Sequence, residues 1–449
     1  MANASIDIVT RTVRGVLEKV GACGKRIVVG LSGGVDSVVL LQCVARIAPA
    51  LDCELSALHV HHGLSPNADA WSQFCEHLCA ELRVPCNVVR VRVERRHALG
   101  LEAAAREARY RVYEAQQAAL VALAHHQDDQ AETVLLQLLR GAGVRGLSAM
   151  PLVRSLDRTG QLRLVRPLLD LTRAQLLGYA RAARLAWVED ESNADPAMDR
   201  NFLRAHIMPM IVQRFPAASA TLQRGAENAA DAARLLDELG QLDAHSAVDE
   251  NSIDVSVLAT LSRDRARNLM RWFIEQQGLA LPSRDRLEEA LRQALDARRG
   301  ARVEVALGAA LLRRHRGRIY LEAVGQEIAA DWERAWRGEA CVELPGALGK
   351  VQFEPAVGAG LSLQRMREPT VIRARSGGER MRLALGGRSR TLKNLLQEAG
   401  VPHWQRDRLP LLFCANDLVW VPEIGVDSRY VAQSGEPGVL PQWIVSNNY

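Results

Sequence analysis

Residues 26–44 read RIVVGLSGGVDSVVLLQCV, and this stretch decides the fold of the first part of the chain. The β-branched run at 27–29 predicts a buried strand, because such side chains favour the pleated conformation. The pair Gly33-Gly34 predicts a tight turn, and the apolar run at 38–41 predicts a helix directly after it. A strand, a glycine-rich turn and a helix in this order are typical of a parallel α/β sheet that binds a nucleotide.

The turn Ser32-Gly33-Gly34-Val35-Asp36-Ser37 has the features of a phosphate site. Backbone N–H groups of consecutive glycines can surround an anion, and the helix N-terminus adds a partial positive charge. Asp36 is the unexpected member, because a carboxylate repels a phosphate unless a cation such as Mg²⁺ lies between them. No lysine follows the glycines, so the Walker pattern is absent. S-G-G-x-D-S instead resembles the pyrophosphate loop of ATP pyrophosphatases, and an ordinary tight turn is the alternative.

Length and composition indicate a soluble protein of several domains. The chain has 449 residues, of which 48% are hydrophobic and 24% charged, so we expect about three domains. No apolar run approaches the roughly 18 residues of a membrane span. The first residues lack the apolar core of a signal peptide, which predicts a cytoplasmic location. Eight cysteines contain no C-x-x-C pair, which favours reduced thiols over disulfides or zinc ligands.

Strand and helix patterns alternate through the first half of the chain. Strand-like runs lie at 26–31, 55–60, 87–93 and 120–124, and helical patterns lie at 35–47, 66–82, 100–118 and 128–140. This alternation predicts an α/β fold, a doubly wound parallel sheet whose ligands sit outside the carboxyl ends of the strands. A helical, Ala/Leu/Arg-rich pattern follows at 216–300, and a small α+β module is predicted from residue 341 onward.

Positive charge is concentrated in two segments, although the net charge of the chain is only +5. Residues 365–393 hold nine Arg or Lys against two Glu, and residues 298–318 hold seven Arg against one Glu. Clusters of this kind predict a polyanionic partner.

Three clusters of polar residues follow predicted strands. His59, His61 and His62 end the second strand, where the rim of a nucleotide pocket is favoured over a metal site because no carboxylate follows at ligand spacing. On the helix at 100–118, Arg106 either pairs with a glutamate on a solvated face or binds a phosphate through its planar fork.

The third cluster, His125-His126-Gln127-Asp128-Asp129-Gln130-Ala131-Glu132-Thr133, follows the fourth strand. Asp129 and Glu132 share a helix face at i, i+3. Two histidines and three acids resemble a metal site, so a metallohydrolase is one interpretation. Solvated acids favoured by the helix dipole are another.

Taken in order, several motifs resemble those of the tRNA(Ile)-lysidine synthetase family: SGGVDS, HVHHGL, LEAAAREARYR, AHHQDDQAETVLLQLLRGAGVRGL, RPLL and DRNFLRAHIMP. The segment that begins VIRARSGGERM is similar to that family's terminal domain. The first motif alone is shared with GMP, NAD and argininosuccinate synthetases. His61 departs from the family, which often has Asn there.

The resemblance implies a ligase that joins lysine to C2 of the wobble cytidine of an isoleucine tRNA. ATP would first adenylate the base, and AMP and pyrophosphate would be released. The implied domains are an ATP-pyrophosphatase catalytic domain, a mainly helical tRNA-contacting domain, a linker and an α+β tRNA-binding domain. Their expected bounds are 1–215, 216–325, 326–340 and 341–449.

The resemblance also implies roles for individual residues. Asp36, Arg106, His126, Asp129 and Glu132 would be catalytic, with ATP on residues 32–37 and Mg²⁺ on Asp36. Asp129 and Glu132 would hold the lysine amines, and Arg200 or Arg204 its carboxylate. The residues expected to hold phosphates of the tRNA anticodon loop and stem are Arg373, Arg375, Arg380, Arg382, Arg388, Arg390 and Lys393.

Three other functions remain open at this point. A tRNA thiolase also adenylates a base, although the missing C-x-x-C pair argues against it. A small-molecule amidoligase would need an ammonia source, and no ammonia-producing domain is visible in the sequence. A non-catalytic RNA-binding or nucleotide-sensing protein is the third. The oligomeric state is open too, with a homodimer among the alternatives.

Overall fold

The computed structural model describes residues 2–93, 100–157, 159–189, 191, 198–249, 251–298, 301–308, 310–323 and 331–445. The chain forms two compact units, Met1–Leu235 and Leu236–Tyr449. All eight cysteines are free thiols. Within the described ranges, no helix is both long enough and apolar enough to cross a bilayer.

The first unit contains a six-stranded sheet flanked by helices. Its strands are β1 (Arg26–Gly30), β2 (Glu54–His61), β3 (Cys86–Arg90), β4 (Leu120–Ala122), β5 (Val153–Ser155) and β6 (Arg163–Val165). Its helices are α1 (Ala2–Lys19), α2 (Val35–Ile47), α3 (Ala68–Leu82), α4 (Leu101–Glu114), α5 (Gln127–Leu139), α6 (Val144–Leu147), α7 (Arg173–Ala182), α8 (Asp199–Phe202) and α9 (Met208–Arg214). A π-helical turn, Leu203–Ile207, joins α8 to α9. Helix α10 (Ala218–Ala247) runs on into the second unit.

The strand order is β3-β2-β1-β4-β6-β5. Every neighbouring pair is parallel except β5 with β6. The register starts at Arg26↔Glu54 between β1 and β2, and at Ile27↔Leu120 between β1 and β4. Parallel strands end at the same edge of a sheet, so the segments after β1, β2, β4 and β6 share one edge.

Successive side chains of β1 are apolar and point to opposite faces of the sheet, which explains why helices cover both faces. Ile27 and Val29 join the apolar cluster that contains residues of α1, α2 and α7. Val28 points the other way, into a second cluster that includes Tyr113 of α4. The predicted doubly wound α/β fold is therefore confirmed.

The second unit begins with helices that pack on an antiparallel sheet of order β7-β8-β11-β10-β9. Its elements here are β7 (Val248–Asp249), β8 (Ser252–Asp254), α11 (Val255–Thr260), α12 (Arg263–Gln276), α13 (Arg284–Asp296), β9 (Val303–Ala306), β10 (Ala310–His315) and β11 (Arg318–Ala323). The predicted helical region is thus accompanied by a sheet, two of whose strands, β7 and β8, lie within 216–300.

The last part of the second unit is an α+β module, as predicted. Its elements are β12 (Glu333–Trp336), β13 (Cys341–Glu343), β14 (Lys350–Val357), β15 (Leu361–Ser362), β16 (Thr370–Arg373), β17 (Arg380–Met381), β18 (Arg390–Thr391), α14 (Leu392–Glu398), α15 (His403–Arg406), β19 (Leu411–Cys414), β20 (Asp417–Val421), β21 (Gly425–Val426) and β22 (Pro437–Ile444). Its sheets have the orders β12-β16-β19-β20-β21, β13-β14-β22-β15 and β17-β18.

The expected linker at 326–340 needs a correction. Residues 326–330 lie outside the described part of the chain, but β12 pairs with β16 in the register Trp336↔Thr370. Trp336 is buried, and its ring stacks on Phe353 with the centroids 4.4 Å apart. Residues 333–336 therefore belong to the C-terminal module. A strand this short gives little periodicity from which to predict it.

We expect Trp336→Ala to destabilise the C-terminal module by about 3–5 kcal/mol, because the lost indole leaves a cavity against Phe353. Hydrogen exchange of the β12 and β16 amides measures this loss. Leu385→Ala is the matched control, since Leu385 is 77% exposed and its removal opens no cavity. Equal protection in both variants would mean that residues 331–340 act as a linker.

Candidate functional site

The glycine-rich turn between β1 and α2 is closed by its own serines. The Ser37 hydroxyl donates to the Gly34 carbonyl at 2.9 Å and accepts from the Ser32 backbone N–H at 3.2 Å. Among the described residues, no side chain caps the N-terminus of α2. The first N–H groups of this helix are therefore oriented toward the site where an anion would bind.

Gly33 is the position in this turn where only glycine fits. Its φ is +90°, a conformation that side chains strain, and an added Cβ would lie 2.7 Å from Cγ2 of Val188. The Val188 backbone N–H also donates to the Gly33 carbonyl at 3.0 Å. Val188 thus fixes the turn through tertiary contacts that local sequence patterns do not indicate.

His126 faces this turn from the end of β4. It is 3% exposed and caps α5, with Nδ1 accepting from the Asp129 backbone N–H at 3.3 Å. Because Nδ1 accepts, the neutral ring carries its proton on Nε2. That Nε2 lies 3.7 Å from Oδ2 of Asp36 and 3.4 Å from Oδ2 of Asp129. One imidazole thus connects the predicted phosphate turn to the acids of α5.

Asp36 has the properties of a cation ligand. Its Oδ1 is buried and has no hydrogen-bond partner among the described residues. Burial raises the pKa of Asp36, an effect that His126 opposes and that Asp129 reinforces. A bound cation would favour the ionised form, and Mg²⁺ often takes only one or two carboxylates beside phosphate oxygens. No group of three or more His, Cys, Asp or Glu converges on a metal site within the described residues.

Asp129 and Glu132 form a closed network with Arg200 and Arg204. Glu132 is 3% exposed and accepts from Nε and Nη2 of Arg204 at 2.7 and 2.8 Å, and from Nε of Arg200 at 3.0 Å. Oδ1 of Asp129 accepts from both arginines, at 3.0 and 3.1 Å. Burial alone would raise the pKa of Asp129, but His126 and Arg200 outweigh it and the pKa is lowered. The two carboxylates and two guanidiniums neutralise each other.

The network bears on the expected role of Glu132, whose contact with the lysine amines stays a prediction. The sequence placed Glu132 beside Asp129 as a direct partner of the lysine amines. In the structure both oxygens of Glu132 are occupied by arginine, whereas the Asp129 side chain is more accessible at 13% exposed. Arg204 lies in the π-helical turn, a rare conformation that often marks functional sites.

The three histidines at the end of β2 differ in their contacts. Nδ1 of His59 contacts the Leu31 carbonyl at 2.8 Å, and Nε2 of His61 contacts Asp69 at 3.2 Å. Nδ1 of His62 has no partner among the described residues, and burial lowers the pKa of His62 to about 4. His59 therefore holds the backbone after β1, His61 is engaged by Asp69, and the unpartnered Nδ1 of His62 can contact a ligand.

Arg106 is exposed on α4, where its Nη2 donates to the Tyr110 hydroxyl at 3.3 Å. Its contact with an ATP phosphate stays a prediction. Sequence reasoning missed His125 and Arg166, which have buried side-chain nitrogens without partners in the described part of the chain. The available signal for Arg166 was its position directly after β6, because ligands bind outside the carboxyl ends of parallel strands.

The basic residues expected to bind tRNA lie on β16–β18 and at the start of α14. Arg380 and Arg382 line a cavity of about 310 Å³ together with Arg429. Arg375 lies 3.5 Å from a Glu379 oxygen, so part of its charge is neutralised within the module. The phosphate contacts of this group remain predictions.

Three models of known protein families match successive parts of the chain. Family models match as the PP-loop domain at residues 7–211, the TilS substrate binding domain at 253–320 and the TilS substrate C-terminal domain at 370–443. Among solved structures, the U34-tRNA thiolase NcsA from Methanococcus maripaludis is 19% identical with a TM-score of 0.44, over 50% of this chain and 80% of that one. A likeness this weak says nothing about function.

Curated relatives are much more similar. The tRNA(Ile)-lysidine synthase of Nitrosomonas europaea is 43% identical over 94% of this chain and 92% of its own length. Those of an Azoarcus species and Coxiella burnetii are 42% and 36% identical, over 93% and 91% of this chain and over 92% and 91% of their own lengths. Together with the glycine-rich turn and the acids that face it, these matches show that the chain belongs to the tRNA(Ile)-lysidine synthase family.

Proposed function

We propose that the chain joins lysine to C2 of the wobble cytidine of an isoleucine tRNA, using ATP and releasing AMP and pyrophosphate. The observation that carries the proposal is the contact between two sites. His126 links the phosphate turn at Asp36 to Asp129 of the arginine–carboxylate network. A site suited to ATP thus adjoins one suited to a charged amino acid, in a chain whose relatives are named for lysidine synthesis.

The first half-reaction needs a good leaving group on C2. The cytosine carbonyl oxygen attacks the α-phosphate of ATP, and pyrophosphate departs. Backbone N–H groups of the turn at 32–37 would hold that pyrophosphate, and the Nε2 proton of His126 would stabilise charge on the α-phosphate. The open Oδ1 of Asp36 would hold Mg²⁺, which supplies positive charge to the phosphates when bound.

In the second half-reaction the lysine ε-amine attacks C2 and AMP departs. Lysine carries two ammonium groups and one carboxylate, so it can exchange partners with the network rather than enter an empty pocket. Asp129 would take an ammonium group, and a guanidinium released from it would take the lysine carboxylate. Glu132 would keep both arginines in place during the exchange.

A single assay tests the proposal. The protein is incubated with ATP, labelled lysine and unmodified isoleucine tRNA, and the label is sought in the anticodon loop. Pyrophosphate release without lysine reports the first step separately. Sulfur incorporation, or ATP turnover without transfer of lysine to RNA, would contradict the proposal. A lysidine product would class the protein as a ligase that forms carbon–nitrogen bonds, acting on tRNA in the cytoplasm. The mass of the protein in solution would distinguish a monomer from a homodimer.

We expect Asp36→Asn to abolish pyrophosphate release while raising stability at neutral pH. Burial raises the folded-state pKa of Asp36, so ionisation destabilises the fold above that pKa, and Asn removes this cost. The gain should fade as the pH falls from the folded-state pKa to the unfolded-state pKa, below which Asp36 is protonated in both states. Thermal unfolding across pH measures the effect.

Asp69→Asn is the control of opposite sign for this experiment. A hydrogen bond and the charge of Arg90 lower the pKa of Asp69, so its ionised form favours the fold. Its replacement should reduce stability at neutral pH and leave pyrophosphate release intact. Lower stability of Asp36→Asn, or wild-type pyrophosphate release at saturating Mg²⁺, would contradict the cation-ligand role.

Glu132→Gln should spare adenylation and impair the use of lysine. The variant loses charge-assisted hydrogen bonds that hold Arg200 and Arg204. The apparent KM for lysine should therefore rise about ten- to hundredfold. Adenylated tRNA should accumulate at low lysine, and excess lysine should restore product. Glu18→Gln, in an exposed helical ion pair with Arg14, is the control. An unchanged KM for lysine, or loss of adenylation itself, would contradict this assignment.

Removal of residues 331–449 should weaken tRNA binding and lower its dependence on salt. The basic residues at 365–393 would no longer displace counterions from the RNA. The cut lies before β12, because a cut at 341 would remove β16 and leave β12 without its partner strand. ATP binding should survive. An unchanged slope of log affinity against log salt would show that this module does not contact phosphates.

A further inference from the structure

Tyr110 on α4 gathers three arginines beside the catalytic sheet. Arg106 donates to its hydroxyl at 3.3 Å, with the guanidinium 5.0 Å from the ring centroid. The Arg154 guanidinium lies 4.8 Å from the same centroid. Arg166, directly after β6, is near enough that Tyr110 affects its pKa. Cations over an aromatic face are attracted to it, so one ring holds separate elements of the fold together.

Within the described part of the chain, the charges of Arg154 and Arg166 lack compensation. Among the described residues, no carboxylate lies within ion-pair distance of Arg154 or Arg166. Arg166 is 2% exposed, and although its Nη1 donates to the Pro151 carbonyl, its Nε has no partner in those residues. Burial lowers the pKa of Arg166, and the charges of Arg154 and Arg106 lower it further. A buried guanidinium without a counter-charge is costly, so the cluster is suited to an anion.

This cluster is separate from the phosphate turn. Arg154 lies on β5, the third strand from β1 in the sheet, which corresponds to about 14 Å at the usual spacing of strands. Tyr110 packs with the apolar cluster on the α4 face, whereas α2 belongs to the cluster on the opposite face. A phosphate held by the turn would therefore leave Arg154 without an anion.

We propose that Arg106 and Arg154 bind a backbone phosphate of the RNA next to the nucleotide that is modified, with the buried Arg166 adding positive charge behind them, and that Tyr110 is the residue that positions the two. The inference rests on the proposed function, which requires that an anticodon base be unstacked into the site. Holding the adjacent phosphate fixes the backbone while the base turns out. The planar arginine fork matches phosphate oxygens, and Arg154 is exposed on an outer strand where a large ligand reaches it.

The test uses Arg154→Ala and Arg154→Glu in the full chain. Affinity for unmodified isoleucine tRNA is measured over a range of salt, and affinity for ATP is measured without RNA. Arg154→Ala should weaken tRNA binding about tenfold and reduce the salt slope by about 0.7–0.9, as expected for one lost phosphate contact. Arg154→Glu should weaken it further, and ATP affinity should not change.

Arg111→Ala is the matched control, because Arg111 lies on the same helix in an exposed ion pair with Glu107. This variant should bind tRNA as the wild type does. Tyr110→Phe keeps the ring but removes the hydroxyl that orients Arg106. Tyr110→Phe should weaken tRNA binding less than Arg154→Ala does, and its slope of log affinity against log salt should be smaller than that of the wild type. A role in stability alone would shift the melting temperature and leave that slope unchanged.

Two outcomes would overturn the inference. Unchanged tRNA affinity in both Arg154 variants would show that the cluster binds no RNA phosphate. A loss of ATP affinity with intact tRNA affinity would assign the phosphate to the nucleotide instead. Both measurements omit lysine, so they are independent of the ligation assay. Loss of tRNA binding in the variants, with no lysine transfer by the wild type, would support the cluster and refute the proposed function.

Discussion

Parallel pairing of β1 with β4 is the constraint on which the catalytic site depends. The register Ile27↔Leu120 brings the ends of both strands to one edge, so α2 and α5 begin side by side. Two helix N-termini then direct their partial positive charges toward the same space. Asp36 and His126 meet there at 3.7 Å although they come from distant parts of the sequence. A slip of one residue in this pairing would turn the buried side chains of β1 to the wrong face and separate the two loops.

The first unit handles its buried charges in two different ways. Around Glu132, carboxylates and guanidiniums balance, so the network is stable without a ligand and can exchange one partner for another. Around Tyr110, Arg154 and Arg166 have no carboxylate within ion-pair distance in the described residues, so binding of an anion relieves the repulsion between them. A zwitterionic amino acid suits the first environment, and a phosphodiester suits the second.

Local patterns were sufficient to predict the strands and helices that build the site. Helix α2 was predicted at 35–47 and spans Val35–Ile47, because its turn and its apolar run are both encoded in neighbouring residues. Strands β5 and β6, with three residues each, are too short to show a period. The pairing of Glu132 with Arg204 joins residues 72 positions apart, and only the packed fold decides which cation reaches a given carboxylate. Composition and spacing could suggest the members of the site, but not their hydrogen bonds.

The π-helical turn at Leu203–Ile207 has a consequence for how this segment tolerates change. Such a turn behaves as an ordinary α-helix into which one extra residue has been inserted. Deleting one residue there would close the wide turn into a regular helix and shift the side chains of the turn, Arg204 among them, relative to α5. Substitutions on the outer surface of the segment leave that geometry intact, whereas gaps do not. Changing the number of residues between Arg200 and the start of α9 therefore disturbs this segment more than replacing its exposed side chains does.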